Sequence, residues 1–194
     1  KRDLMEILTE SGSSRIELKT DSSIPEELYR RETTEDGITI FSSDYFGWIY
    51  AMYDISRECL GMQPMWFWND QAIEKKTVAQ VPCGTVCSSP CRVRYRGWFI
   101  NDQQLLEGWI ETYQSEEYVW SRIYETVMRL GGNMMITHSQ HDMALALQLL
   151  ADYGMYLSYT HNNPLGAESF SSRWPGLQAS YARYPEKFEQ LWRE

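Results

Sequence analysis

The chain has 194 residues, room for one medium domain or two small ones, and its 43% hydrophobic and 23% charged content is that of an ordinary globular protein. A net charge of −9 and a pI near 4.9 argue against a nucleic-acid partner, because phosphate backbones need a basic face. No apolar run approaches the roughly 18 to 20 residues of a membrane helix, so no membrane partner is expected.

The opening KRDLMEILTE carries too many acids and too short an apolar core for a signal peptide. The chain starts without Met, which leaves room for an upstream segment, and extracellular and cytoplasmic locations both stay open. The spacing of Leu4, Ile7 and Leu8 predicts a helix over 1–11, ending near Gly12. Residues 15–20 alternate Ile16 and Leu18 as a strand does, and 37–41 (GITIF) form a second short strand after the Glu35-Asp36-Gly37 turn. Trp48, Met52, Ile55 and Cys59 recur at helical steps, predicting a helix over 47–60 with Gly61 as its C′ residue. MWFW (65–68) is a short apolar segment closed by Asn69-Asp70, and 71–91 reads as lysines, valines and turn residues. A domain boundary is placed at 88–92.

Beyond it, 94–101 is a predicted strand, and Arg92, Arg94 and Arg96, at every second position, read as one side of it. A helical region follows, with strong periodicity over 118–130 (YVWSRIYETVMRL) up to Gly131-Gly132. Strands at 133–137 and 155–159 flank a helix over 142–153, and a last helix spans 185–193. Strand-helix alternation of this kind is the pattern of a parallel sheet with helices outside it. In such folds the loops after the strand C-termini carry function. Here those loops are 101–104, 138–141 and 160–166, all polar. Three strands cannot close an eight-stranded barrel, so the sheet is either small and open or part of a larger barrel.

Cys83, Cys87 and Cys91 have C-x3-C-x3-C spacing, unlike the paired C-x2-C of zinc sites. On an extended chain residues four apart stand roughly 13 Å apart, too far for a disulfide, though a turn at Gly84 or Ser88-Ser89-Pro90 would bring two together. Free thiols and one disulfide both remain open for these three and Cys59. With 8 Trp, 13 Tyr and 6 Phe, aromatic content is high. Exposed rings stack on the C–H faces of sugars, but the ordinary use of such rings is core packing.

Five ordered blocks resemble glycoside hydrolase family 115, the xylan α-glucuronidases. They are SDYFGWIYAMYDIS (43–56), LGMQPMWFWND (60–70), YRGWFINDQQLLEGW (95–109), YETVMRLGGNMM (124–135) and YGMYLSYTHNNPLG (153–166). The resemblance covers about residues 41–192. It implies an α/β fold: an N-terminal α/β accessory domain (1–90) followed by the first β/α units of a (β/α)8 TIM barrel (91–194), incomplete in this chain. It also implies an α-glucuronidase-like hydrolase of uronic-acid-substituted plant polysaccharide such as glucuronoxylan. This chain would be a partial enzyme, inactive when isolated, with a homodimer forming through regions outside it. No cofactor and no metal are implied.

The resemblance puts Asp102 and His161 forward as catalytic, against the ordinary readings of helix cap and backbone-bound loop histidine. Asn101, Gln103, Asn163 and His138 become candidate substrate ligands. Trp68 and Asp70, with Trp66, read either as a sugar-contacting edge or as domain-interface packing. Trp98 and Trp109 read as packing residues, and Arg96 as structural, at the bottom of the sheet and paired with an acid. His138 and His141 have metal-like i, i+3 spacing, but no third ligand is evident, so they read as loop and cap residues.

The departures from the family pattern are specific. Gln103 and Gln104 stand where it has acids, Asn163 where it has Glu, and Tyr45-Phe46 where it has Lys-Arg. Glycoside hydrolysis needs two carboxyl groups, and an amide cannot exchange a proton in their place. A catalytically altered or non-catalytic carbohydrate-binding member is therefore the alternative expectation, and a cysteine-metal module a more distant third.

Overall fold

The computed structural model describes residues 2–8, 15–101, 103–137, 144–159 and 170–193. The chain divides into two compact units, one of 1–96 with 125–133, the other of 97–124 with 134–194.

The first unit holds α1 (Arg2–Ile7), β1 (Arg15–Thr20), β2 (Arg30–Thr34), β3 (Gly37–Ser42), α2 (Tyr45–Ile55) and β4 (Gly84–Cys87). Its sheet runs β1-β3-β2-β4. β2 and β3 form the antiparallel hairpin across Glu35-Asp36, and β1 lies parallel to β3. β3 alternates strictly, with Ile38, Ile40 and Ser42 buried. Ile38 and Ile40 pack with Tyr29 against Ala51 and Ile55 of α2. This is the period-2 strand meeting the period-3.6 helix.

α2 starts at Tyr45 because Asp44 is its N-cap: Gly47 N donates to Asp44 Oδ1 at 2.9 Å. The predicted helix over 47–60 continues to Leu60, but 56–60 is a π turn, closed by Gly61 in the left-handed conformation (φ 81°). Gly47 permits a close approach of helix to strand, since a Cβ there would lie 2.1 Å from Ser42 Oγ and 2.3 Å from Leu28 O.

Two strands were invisible to hydrophobic periodicity. β2 turns Arg31 and Thr33 inward, not apolar residues. The buried Arg31 guanidinium meets Glu58 at 3.3 Å. β4 falls in the predicted turn region 71–91, and all four of its residues are exposed. The reading of Arg92, Arg94 and Arg96 as one side of a strand is corrected. No ladder forms before Gly97, because the carbonyls of Val93 and Arg94 accept hydrogen bonds from side chains: Arg96 Nη1 on both, and Asn133 Nδ2 on Arg94 O.

The second unit holds β5 (Gly97–Phe99), a 3-10 turn (Gln103–Leu106), α3 (Glu107–Tyr113), β6 (Met134–Thr137), α5 (Ala144–Asp152), β7 (Tyr156–Tyr159), α6 (Phe170–Arg173) and α7 (Pro185–Arg193). α4 (Glu116–Arg129) is divided: 116–124 belong here and 125–129 to the first unit. β5, β6 and β7 form the expected parallel sheet in that order. Val119, Trp120, Ile123 and Tyr124 of α4 are buried, and Tyr124 Oη donates to Ala146 O at 2.7 Å. Trp98 and Trp109 are half-buried. Among the described residues no helix is long and apolar enough to cross a membrane.

Gly47→Ala is expected to destabilise the chain by about 3 kcal/mol, the upper end of overpacking costs, because one clashing atom is backbone. Helix propensity favours Ala by only about 1 kcal/mol, so the clash wins. Urea denaturation of the two proteins measures the difference.

Candidate functional site

The site begins with what anchors β5. Arg96, the residue before that strand, is held from several sides. Its Nε donates to Gly131 O at 2.6 Å, and its Nη2 meets Glu27 Oε2 at 2.6 Å. Tyr50 Oη lies 3.4 Å from Nη2 and donates to Gly132 O at 2.9 Å. Asn133, fully buried, completes the group. Its Nδ2 donates to Glu27 Oε1 at 2.5 Å, and its Oδ1 accepts from Arg96 N at 3.0 Å.

Glu27 is left-handed at φ 65°, a conformation that costs a side-chain-bearing residue roughly 1 kcal/mol or more. Asp44 Oδ2 supports it by accepting from Glu27 N at 2.9 Å. Burial pulls the Arg96 pKa down, but the Glu27 carboxylate outweighs it and leaves the guanidinium raised. Burial, then Glu27, pushes the Tyr50 phenol well above its usual range. Arg96 is thus structural and paired with an acid, as read from the sequence. The cluster stands just before the N-terminal end of β5.

At the other end the three parallel strands finish in register, Phe99 beside Ile136 beside Ser158 and Thr137 beside Tyr159. The C-terminal ends of the three strands therefore lie at one side of one sheet. Asn101, two residues past Phe99, is exposed. Gln103 opens the 3-10 turn. Asp102, His138, His141, His161 and Asn163 lie outside the described residues, as does the Gln103 side chain.

Trp68 and Asp70 belong to the first unit. The Trp68 indole N–H donates to Thr126 Oγ1, and the Trp66 N–H to Glu125 Oε1, both at 3.1 Å. Asp70 is exposed, with φ 46°. Glu125 also holds Arg129 Nε at 2.7 Å, and Arg129 Nη2 pairs with Asp3, whose Oδ2 accepts from Ser56 Oγ at 2.5 Å. The Trp66 N–H is thus engaged in a buried ionic network and the Trp68 N–H by a buried hydroxyl, so both indole donors are taken up within the first unit.

Cys83, Cys87 and Cys91 are exposed free thiols, and Cys59 is half-buried and free. Among the described residues no group of three His, Cys, Asp or Glu is arranged to hold a metal ion. Glu27 escaped the sequence reading. It sits in the turn Pro25-Glu26-Glu27, where nothing marks one acid from its neighbour.

The sequence profile of glycosyl hydrolase family 115 matches residues 88–194. The chain belongs to glycosyl hydrolase family 115. Among solved structures it is similar to a GH115 4-O-methyl-α-glucuronidase with specificity for decorated arabinogalactans, at 24% identity and TM-score 0.77. That match covers 98% of this chain and 30% of the other, so the GH115 chain spans under a third of that enzyme's length. Lesser matches are a GH20 exo-β-N-acetylglucosaminidase from Vibrio harveyi (18% identity, TM-score 0.47, covering 71% of this chain and 19% of the other) and a β-N-acetylhexosaminidase from Bacteroides fragilis (19%, 0.42, 70% and 25%). No curated protein sequence matches the chain.

Two outcomes test the geometry of this GH115 chain. Arg96→Met, which leaves the half-buried Glu27 without its cation, is expected to cost about 2 kcal/mol in urea denaturation, below the cost of breaking a fully buried pair. Timed thiol labelling near pH 8 should show three fast cysteines and a slow Cys59. Burial raises the Cys59 pKa, so its reactive thiolate is scarcer.

Proposed function

We propose that the chain supplies an N-terminal accessory domain (1–90) and the first strands of a (β/α)8 barrel (91–194) in an α-glucuronidase-like glycoside hydrolase. Family membership, together with three parallel strands whose C-terminal ends lie at one side of one sheet, carries this reading. Its substrate is a uronic-acid-substituted plant polysaccharide such as glucuronoxylan. Asp102 provides a carboxyl group at the end of the first barrel strand, and His161 a second proton-exchanging group after the third. Asn101, Gln103, His138 and Asn163 hold sugar hydroxyls from the same edge. Ring faces of Trp68, with Asp70, add an edge from the accessory domain.

Chemistry limits what these residues do alone. Two carboxyl groups must flank the glycosidic bond. With Gln103, Gln104 and Asn163 neutral, Asp102 needs a partner acid from later barrel strands. The isolated 194 residues are accordingly inactive, since an unclosed barrel leaves strand edges unpaired. The same three amides favour a second reading, a family member that binds glycan without cleaving it.

Asp102→Asn, in the protein with its barrel complete, is expected to lower turnover of glucuronoxylan by roughly 10² to 10⁴, the usual contribution of an acid or base. Binding should change little. Turnover equal to the parent sinks the assignment of Asp102, and a parent that binds but never releases uronic acid establishes the second reading.

A further inference from the structure

The high aromatic content is only partly absorbed by the cores, and two of the exposed rings, Tyr181 and Trp192, lie together near the end of the chain. Phe170 is buried and stacks on Phe188 at 4.6 Å, with Trp174 at 4.9 Å on its flank. Phe188 in turn packs against Tyr181 at 5.9 Å and Trp192 at 6.0 Å. Core packing explains the inner members of this ladder, with Leu191 beneath them. It does not explain Tyr181 and Trp192, each 50% exposed, 5.7 Å apart and within 15° of parallel. The half-buried Phe188, itself stacked on buried Phe170, contacts both exposed rings.

Charge sets the segment apart as well. Over 170–193 four basic residues (Arg173, Arg183, Lys187, Arg193) stand against two acids (Glu186, Glu189), in a chain of net charge −9. Lys187 Nζ lies 4.8 Å from the Trp174 ring centre, so one cation sits within the aromatic row itself. Arg193 meets Glu189 at 3.4 Å in an exposed pair of the kind that contributes little and exchanges readily.

From these observations we propose that α6, α7 and the segment joining them form a second glycan-binding face, selective for chains that carry carboxylate sugars and built from other residues than the loops after β5, β6 and β7. The choice of ligand rests on the glycoside hydrolase reading. Parallel ring faces suit the C–H faces of successive sugars, and the Tyr181 hydroxyl and Trp192 N–H suit their hydroxyls. Lys187 and the nearby arginines suit the carboxylate. In this segment the exposed large apolar residues are the two aromatics alone.

Affinity gel electrophoresis of the chain in glucuronoxylan and in uncharged arabinoxylan tests this. Retardation should be stronger in glucuronoxylan and weaken with added salt. Tyr181→Ala with Trp192→Ala should reduce affinity at least tenfold, while Trp192→Phe keeps most of it. Should the double variant fail to fold, Lys187→Glu, with every ring intact, should lose the preference for glucuronoxylan. Parent and double variant binding equally, or equal retention in both gels, overturns the proposal. So does a double variant that changes only the sedimentation coefficient, which assigns the face to a second copy. The readout is binding and not turnover, so failure of the hydrolase reading and failure of this face give different results.

Discussion

One carboxylate organises the first unit. Glu27 accepts from Arg96 on one oxygen and from Asn133 on the other, so a turn near residue 27 grips the chain just before β5 and just before β6. A half-buried ion pair of this kind contributes little net stability, because desolvating both charges offsets much of their attraction. Its force is in exclusion. Any arrangement that moves Arg96 or Asn133 away leaves a buried charge or amide unpaired, which costs more than the pair gains. The geometry of the strand starts is therefore set by penalties on the alternatives, and the left-handed turn at Glu27 is tolerated for the same reason.

A second network repeats the logic at the C-terminal end of α2. Asp3, Ser56, Glu125, Arg129 and the Trp66 indole are joined by short hydrogen bonds, with the Arg129 guanidinium 4.5 Å above the Tyr53 ring. Several residues within the blocks that carry the family resemblance thus serve the frame. Asp44 caps, Tyr50 bridges, Arg96 and Asn133 clamp, and Trp66 and Trp68 anchor. Part of what looks catalytic on paper is therefore structural support.

Apolar rhythm made much of the fold legible. β3, β6, β7, α2, α4 and α7 fall where it placed them, and all but β7 have at least one buried apolar residue. β2 escaped because its inward residues are Arg31 and Thr33, and Arg31 is tolerable inside only by virtue of Glu58, which lies 27 positions away. β4 escaped because an exposed edge strand needs no pattern at all. Arg92 to Arg96 misled for the converse reason: the alternation was real, but their backbone serves side chains and no neighbouring strand. The three strands that precede the proposed site residues were legible as strands. The acid held near their starts, Glu27, was not, because the need for it arises only once Asn133 is brought to the same place.

The two networks also impose an order on synthesis. Asp3 meets Arg129 across 126 positions, and Glu27 meets Asn133 across 106. At the ribosome's pace of about 5–20 residues per second, the earlier acid waits roughly 6 to 25 s for its partner. Until then the β1–β4 sheet has its strands but not its locks. The amino-terminal unit is the first to be made and cannot be the first to be finished, because its last pieces are encoded inside the unit that follows it.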